Sequence, residues 1–510
     1  MHQLVPHADP SSAAPAAGST RPGAQQPRDP LGWAGPLTAT AVGAVLRLAH
    51  LGQPHAVVFD ETYYAKDALS LVRFGVERRA IDGANDMLLS GPPDVAPTDI
   101  FTSDPAFIVH PPVGKWLIGI GELAFGANPF GWRIAAALAS IVSILMLGRV
   151  VRRLTGNSLL GTIAAGLLAL DGLHIVMGRT AVLDGFLMLF VLAAFGALLI
   201  DRDTTRARYL ALGPASGWRL WRRWRLCAGV LLGLACGVKW SGLWFVAAFG
   251  LLTVVWEVGN RRAAGDRRPW RGALLRDAAP AFVSIVLLGV AVYVLTWTGW
   301  LLSTDGWGRQ AVGGGPAFLP QPLQALLQYH AAIYRFHIGL GQDHPYEAPA
   351  WGWLVQARPT SFFYDGEGTG CGADKCASAV SSLGNPVIWW AAVLALLHQS
   401  YRAVFVRDGR SAAIVVAVLA GWLPWLFYPE RTMFAFYAVV IAPFVVTALT
   451  LSLGQVLGTG PVARRRGRIA LVGGYLAVVV VAAWWFYPIW SGMEIAYDAW
   501  QRRMWLRTWI

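Results

Sequence analysis

Long apolar stretches separated by short basic connections set the pattern of this chain. Windows able to cross about 30 Å of hydrocarbon at 1.5 Å per residue fall near residues 34–51, 130–151, 158–176, 181–200, 277–300, 385–402, 411–428, 433–454 and 469–490. A further apolar stretch, 226–257, is interrupted at 237–242 by the residues GVKWSG. Charge decides how to divide it. As two spans, it gathers the Arg-rich connections near 149–153, 202–225, 261–276, 402–410 and 464–468 on one side, and these hold more than half of the 42 Lys and Arg residues. One span would split them between the two sides, against the tendency of short cytoplasmic loops to be basic. The pattern therefore predicts eleven helical spans with the N-terminus inside and the C-terminus outside.

Composition agrees. Of 510 residues, 55% are hydrophobic and only 14% charged, where a soluble domain carries about 25% charged residues. The net charge of +13 is accounted for by the inside loops and calls for no nucleic-acid partner. Residues 1–33 are rich in Pro, Ala, Ser and Gln and lack the apolar core of a signal peptide, so they read as a disordered cytoplasmic tail. The rest, 34–510, reads as one membrane-embedded domain surrounded by lipid, with two long segments facing outward, 52–129 and 301–384.

Ionisable residues within apolar spans are costly and mark sites. Here they gather at the outer ends: Arg47 and His50, Asp171 and His174, Arg179 and Asp184, Lys239, Glu430 and Arg431. His174 and Lys239 are the ones read as structural. No matching set is expected in the inner leaflet, which favours a cavity open to the outside over a transporter with a polar path through its full depth.

Two outward motifs carry chemistry. Residues 55–67, HAVVFDETYYAKD, hold the adjacent carboxylates Asp60 and Glu61 among aromatic residues. Partial desolvation and a like charge raise a carboxylate's basicity toward that of a general base, and on a turning chain the two side chains point apart. Residues 110–116, HPPVGKW, set a helix start beside Lys115, an arrangement attractive to phosphate. Arg133, in FGWR at 130–133, adds a second cation at the outer end of its span.

With RTAVLD at 179–184, VKWSGL at 238–243, the run from His330 to His337, HPYE at 344–347, RPTSFFY at 358–364 and RTMFAFY at 431–437, these motifs make the chain resemble the protein O-mannosyltransferases in their actinobacterial form, from about residue 35 to 490. The resemblance implies a C-type glycosyltransferase fold, a polyprenyl-phosphate-mannose donor, and Ser or Thr acceptors on proteins emerging at the outer face of the plasma membrane, with the secretion translocon a possible partner. By the same resemblance Asp60 engages the acceptor hydroxyl, Glu61 completes its pair, and Arg133 is the arginine that follows Trp in the second span. The segment 301–384 is too short for the β-trefoil domain that eukaryotic relatives insert there.

The transfer needs a base, cations for the departing phosphate and a dry slot for the lipid. Asp60 is expected as base in a one-step inversion, and Arg133, Lys115, Arg358 and Arg431 as the phosphate-binding set. His110, Tyr63, Arg179, Asp184, His337, His344 and Tyr346 are expected along the substrate cavity. His330, His337 and His344 recur every seven residues, but Gly339 and Gly341 break their helix, so lining a sugar cavity is favoured over holding a divalent metal, and no cofactor is assigned. Cys371 and Cys376 are compatible with a disulfide closing a small hairpin. The competing readings are a related enzyme with a lipid or glycan acceptor, and a lipid flippase.

Overall fold

The computed structural model describes residues 31–91, 100–214, 220–313 and 315–510. All but the end of the proposed tail, residues 1–30, lies outside them. Helices α1 (Leu31–Leu48), α2 (Glu61–Phe74), α3 (Ala84–Ser90), α4 (Val113–Phe125), α5 (Pro129–Thr155), α6 (Ser158–Ala169), α7 (Gly172–Met177), α8 (Asp184–Leu212), α9 (Arg223–Val238) and α10 (Gly242–Ala263) form the first half. A long helical stretch, α11 (Pro269–Thr296), then leads to α12 (Gln321–Ile338), α13 (Pro386–Val404), α14 (Gly409–Trp422), α15 (Ala442–Leu457) and α16 (Arg466–Ser491). Six helical stretches among the described residues are long and apolar enough to cross a membrane.

Local chemistry explains the boundaries. Asn128 accepts hydrogen bonds from the backbone N–H groups of Phe130 and Gly131, Pro129 opens α5, and Gly156 closes it in the left-handed region, a start and stop that satisfy otherwise orphaned groups. Asn157 caps α6 and Asn385 caps α13 in the same way. The stretch 226–257 is two helices, α9 and α10, parted at Lys239, Trp240 and Ser241. The window 158–176 breaks at Leu170 and Asp171, because the Asp171 carboxylate accepts from the backbone N–H groups of His174 (3.1 Å) and Asn385 (3.0 Å) and from the Trp389 indole (2.8 Å). The window 433–454 opens on a short tight helix, Ala435–Val440, before α15 begins.

Helix α8 is central, with 72% of its apolar window buried, whereas α11 and α16 bury only 28% and present apolar side chains to lipid. Two small antiparallel sheets modify the all-helical expectation. Strand β1 (Arg78–Ala80) pairs with β2 (Phe101–Pro105) in the first long segment. In the second, β3 (Ser361–Asp365) pairs with β4 (Cys376–Ser381), which pairs in turn with β5 (Glu494–Ala496). Cys371 and Cys376 are joined by a disulfide beside β4.

The one-sided distribution of ionisable groups does not hold. Near the Arg-rich ends of α8 to α11, Arg222 pairs with Asp201 and with Glu257 (2.7 Å), and Arg261 pairs with Asp277 (2.6 Å), all largely buried. The acidic partners sit next to Arg-rich loops, where sequence alone reads them as solvated. At the other end, Arg47 donates to Ser140 Oγ (2.6 Å) and to the carbonyls of Gly43 (3.0 Å) and Ala169 (3.1 Å), and meets His174 Nδ1 (2.6 Å). His174 is structural, as expected.

Candidate active site

Asp60 and Glu61 part company at the start of α2. Phe59 adopts a positive φ of 47°, rare for a bulky residue and a mark of local strain. It is held there by stacking on Phe362 (4.7 Å between ring centres) and by edge contacts with Phe434 and Phe436 (5.6 Å each). Asp60 occupies the capping position of α2, yet its carboxylate makes no capping bond, although Asp is a favoured capping residue. The carboxylate instead takes a hydrogen bond from Tyr64 and is coupled to Lys239 and Asp184. Burial raises its pKa from 3.8 to about 6, with Lys239 opposing and Asp184 adding to the rise.

Glu61 turns inward and is fully buried. Its oxygens accept from Arg133 Nε (2.8 Å) and Nη2 (2.9 Å) and from the backbone N–H groups of Val58 (3.0 Å) and Ala181 (2.9 Å). Arg133 gives its remaining hydrogen bonds to the carbonyls of Leu51 (3.3 Å), Pro54 (2.9 Å) and Ala56 (2.8 Å). Its donors are thus all engaged by protein groups and it is fully buried, contrary to the expected phosphate role, because the chain leaving α1 folds its carbonyls back onto the guanidinium.

Other expected cations are diverted by similar means. Lys115 is buried and paired with Glu77, in a cluster where burial lifts the nearby Asp67 to about 7. Arg179 gathers the carbonyls of Arg47 (3.0 Å), Ala49 (2.7 Å) and His50 (3.1 Å) at the end of α1, groups a helix terminus leaves unsatisfied. Arg358 donates to the carbonyls of Pro345 (2.7 Å) and Thr508 (2.9 Å) and lies over Tyr346. Tyr63 is 64% exposed and points outward. His344, its Nδ1 accepting from the Tyr346 N–H (3.1 Å), packs on Phe434 and Phe59 behind Asp60.

Four expected residues do share a cavity of about 550 Å³: His110, Asp184, His337 and Arg431. Lys239, read from sequence as structural, lines it too. Its ammonium is 2.7 Å from Asp184 and lies over the ring of Tyr437. The signal was the GVKWSG interruption itself, since a Lys on a three-residue turn between two apolar helices has to face a polar space. Trp240, Trp425, Tyr428 and Tyr437 complete the wall and were not singled out; aromatic residues this common among spans carry no individual signal. Arg431 lies over Trp425. His110 and His337 sit 5.3 Å apart between ring centres. Burial and neighbouring cations hold both well below the usual histidine range, His337 at about 4, which favours neutral rings beside Lys239 and Arg431.

His330 does not line this cavity but stacks on Trp240 (5.5 Å between ring centres) and borders the adjacent apolar pocket, against Tyr293 Oη (2.6 Å) and Leu326 O (2.7 Å), and α12 ends at Ile338 before His344. The three histidines therefore do not converge. Below the cavity, Trp240 and Leu243 also line an almost wholly apolar pocket of about 260 Å³ among α9, α10 and α11.

The arrangement joins a carboxylate of raised basicity to a cationic, aromatic-walled cavity with an apolar extension, parts suited to separating a sugar from a lipid phosphate. Residues 37–296 match the family model described as dolichyl-phosphate-mannose-protein mannosyltransferase, and residues 322–509 match the C-terminal four-transmembrane region of protein O-mannosyltransferase. The polyprenol-phosphate-mannose–protein mannosyltransferase of Mycobacterium tuberculosis is 39% identical, over 94% of this chain and 92% of its own. That of Corynebacterium glutamicum is 33% identical, over 89% and 88%. Among solved structures, the Saccharomyces cerevisiae protein O-mannosyltransferase Pmt1-Pmt2 complex bound to the sugar donor aligns with a TM-score of 0.71 at 14% identity, covering 94% of this chain and 92% of that one. This likeness shows a shared fold, that of the C-type membrane glycosyltransferases. The chain belongs to the protein O-mannosyltransferase family.

Proposed function

We propose that this protein transfers mannose from a polyprenyl-phosphate-mannose donor to Ser or Thr hydroxyls of proteins at the outer face of the plasma membrane, by a one-step inversion. The carrying observation is the Lys239–Asp184 pair, 2.7 Å apart, which shares one cavity wall with Arg431 and lies within electrostatic reach of Asp60. The acceptor oxygen attacks the anomeric carbon as its proton passes to Asp60. The bond from that carbon to the phosphate oxygen breaks on the opposite side, and polyprenyl phosphate leaves with the electron pair. Lys239 and Arg431 face the developing charge, where preorganised cations contribute most. Lys239 donates one of its three N–H groups to the Asp184 carboxylate, which holds the ammonium in place. The apolar pocket under Trp240 suits the first isoprene units. Glu61 and Arg133 are positioning residues, and the tendency of basic connections to lie inside supports assigning the cavity to the outer side.

The test is purified protein with labelled polyprenyl-phosphate mannose and a Thr-containing peptide. The expected product is α-linked mannose on the peptide, and label passing only to lipid or glycan would instead identify the related enzyme. In the same assay, Lys239→Met and Arg431→Met are each expected to lower kcat/KM for the donor about tenfold or more, since hydrogen bonds to charged groups contribute about 1.5–3 kcal/mol. Acceptor KM should stay near its original value. Donor kinetics unchanged in both variants would remove the phosphate role from these side chains.

A further inference from the structure

The cavity accounts for sugar, phosphate and lipid, but it leaves open what holds the polypeptide whose hydroxyl must reach Asp60. Strand β3 has the placement and the unused bonding capacity for this. The three-stranded sheet runs in the order β3, β4, β5, so β3 is a border strand, and among the described residues its backbone has no backbone partner except β4. Sheet borders of this kind are templates for another extended chain and are usually blunted when unused. Here the sequence SFFYD carries no Pro or Lys, and its last two residues are exposed, Tyr364 at 46%.

The strand is also fixed relative to the reacting carboxylate. Phe362 is buried and stacks nearly parallel on Phe59, at 4.7 Å and 4°, and meets Phe436 edge-on at 5.2 Å. Phe59 is bonded directly to Asp60, so β3 and the base share one rigid aromatic anchor. From the other end the hairpin is held by the Cys371–Cys376 disulfide and by Glu494, whose carboxylate accepts the Gly370 N–H at 2.7 Å. A rigid template lowers the ordering cost of binding a flexible chain.

We infer that the acceptor polypeptide binds as an added strand along the free border of β3, its main chain hydrogen-bonded to alternate residues of the strand, with the target hydroxyl delivered past Phe59 to Asp60. Such recognition reads the backbone and not a sequence motif, so acceptors need share only an extended conformation. The inference rests on the proposed protein acceptor.

Two measurements test it on the intact enzyme. In the first, an acceptor peptide is N-methylated one residue at a time around its Thr. Methylation is expected to raise acceptor KM on the order of tenfold at every second position, following the alternation of an antiparallel ladder, and to have little effect between. In the second, a photoreactive phenylalanine analogue replaces Phe363, and irradiation with donor and peptide present is expected to cross-link the peptide; the same analogue at exposed Trp221 should not. A methylation profile without period two, or no cross-link at 363 from a variant that still mannosylates the parent peptide, overturns the docking mode while leaving the transferase reading intact. Failure of the native enzyme to mannosylate the parent peptide overturns both.

Discussion

Asp60→Asn is expected to abolish mannosyl transfer, with kcat/KM falling at least about 10²-fold, the lower range of what a positioned base contributes, while donor binding persists. The pH profile carries the same assignment. A carboxylate that titrates near 6 is active as base only above that value, so the native rate should rise through about pH 6 and then level. The Asn variant's residual rate should lack that limb. Stability should move the opposite way. The folded-state pKa lies above the ordinary 3.8, so the folded protein binds this proton more tightly than the unfolded chain, and the contribution of Asp60, complete at low pH, is lost as pH rises through 6. Holding Asp60 ionised at pH 7 therefore costs stability, and the neutral Asn variant should melt no lower than the native enzyme. Transfer at the native rate by Asp60→Asn would remove the base assignment.

Replacing either member of the Glu61–Arg133 pair is expected to damage folding more than any substitution at the cavity wall. Each leaves an uncompensated charge in a fully buried site, a change that costs about 3–5 kcal/mol, and each also strands backbone groups. Glu61→Gln weakens the bonds that hold Val58 and Ala181, while Arg133→Met abandons the carbonyls of Leu51, Pro54 and Ala56. Both variants should show lower yield and a lower melting temperature in detergent. The double variant should lose less than the two single losses combined, because the partners fail together. If Arg133→Met were instead fully stable and impaired only in donor KM, Arg133 would be a phosphate ligand after all.

The helices were legible because a span is a long, redundant signal, and the division of 226–257 because the flanking arginines constrain it. The setting of Asp60 was legible because its neighbours in sequence, Phe59 and Tyr64, are also its neighbours in space. The cations were not. Arg133 and Lys115 stand near the starts of their helices and Arg179 in the link between α7 and α8, but whether a guanidinium meets a ligand or a carbonyl depends on chain more than a hundred residues away in the case of Arg179 and about eighty in that of Arg133. Lys239 was read as structural, yet its place on the turn between two apolar helices turns it to the cavity. Asp201, Glu257 and Asp277 were hidden beside the arginines that neutralise them.

Lys239 rides on a turn of only three residues between α9 and α10, each of which packs against other lipid-facing helices. A change in tilt between those two rods would carry the Lys239–Asp184 ion pair relative to the rest of the cavity wall. Bilayer thickness and composition are thereby given mechanical leverage over how firmly the leaving group is gripped, and the same enzyme reconstituted in thin and thick bilayers should differ in donor affinity before it differs in anything else.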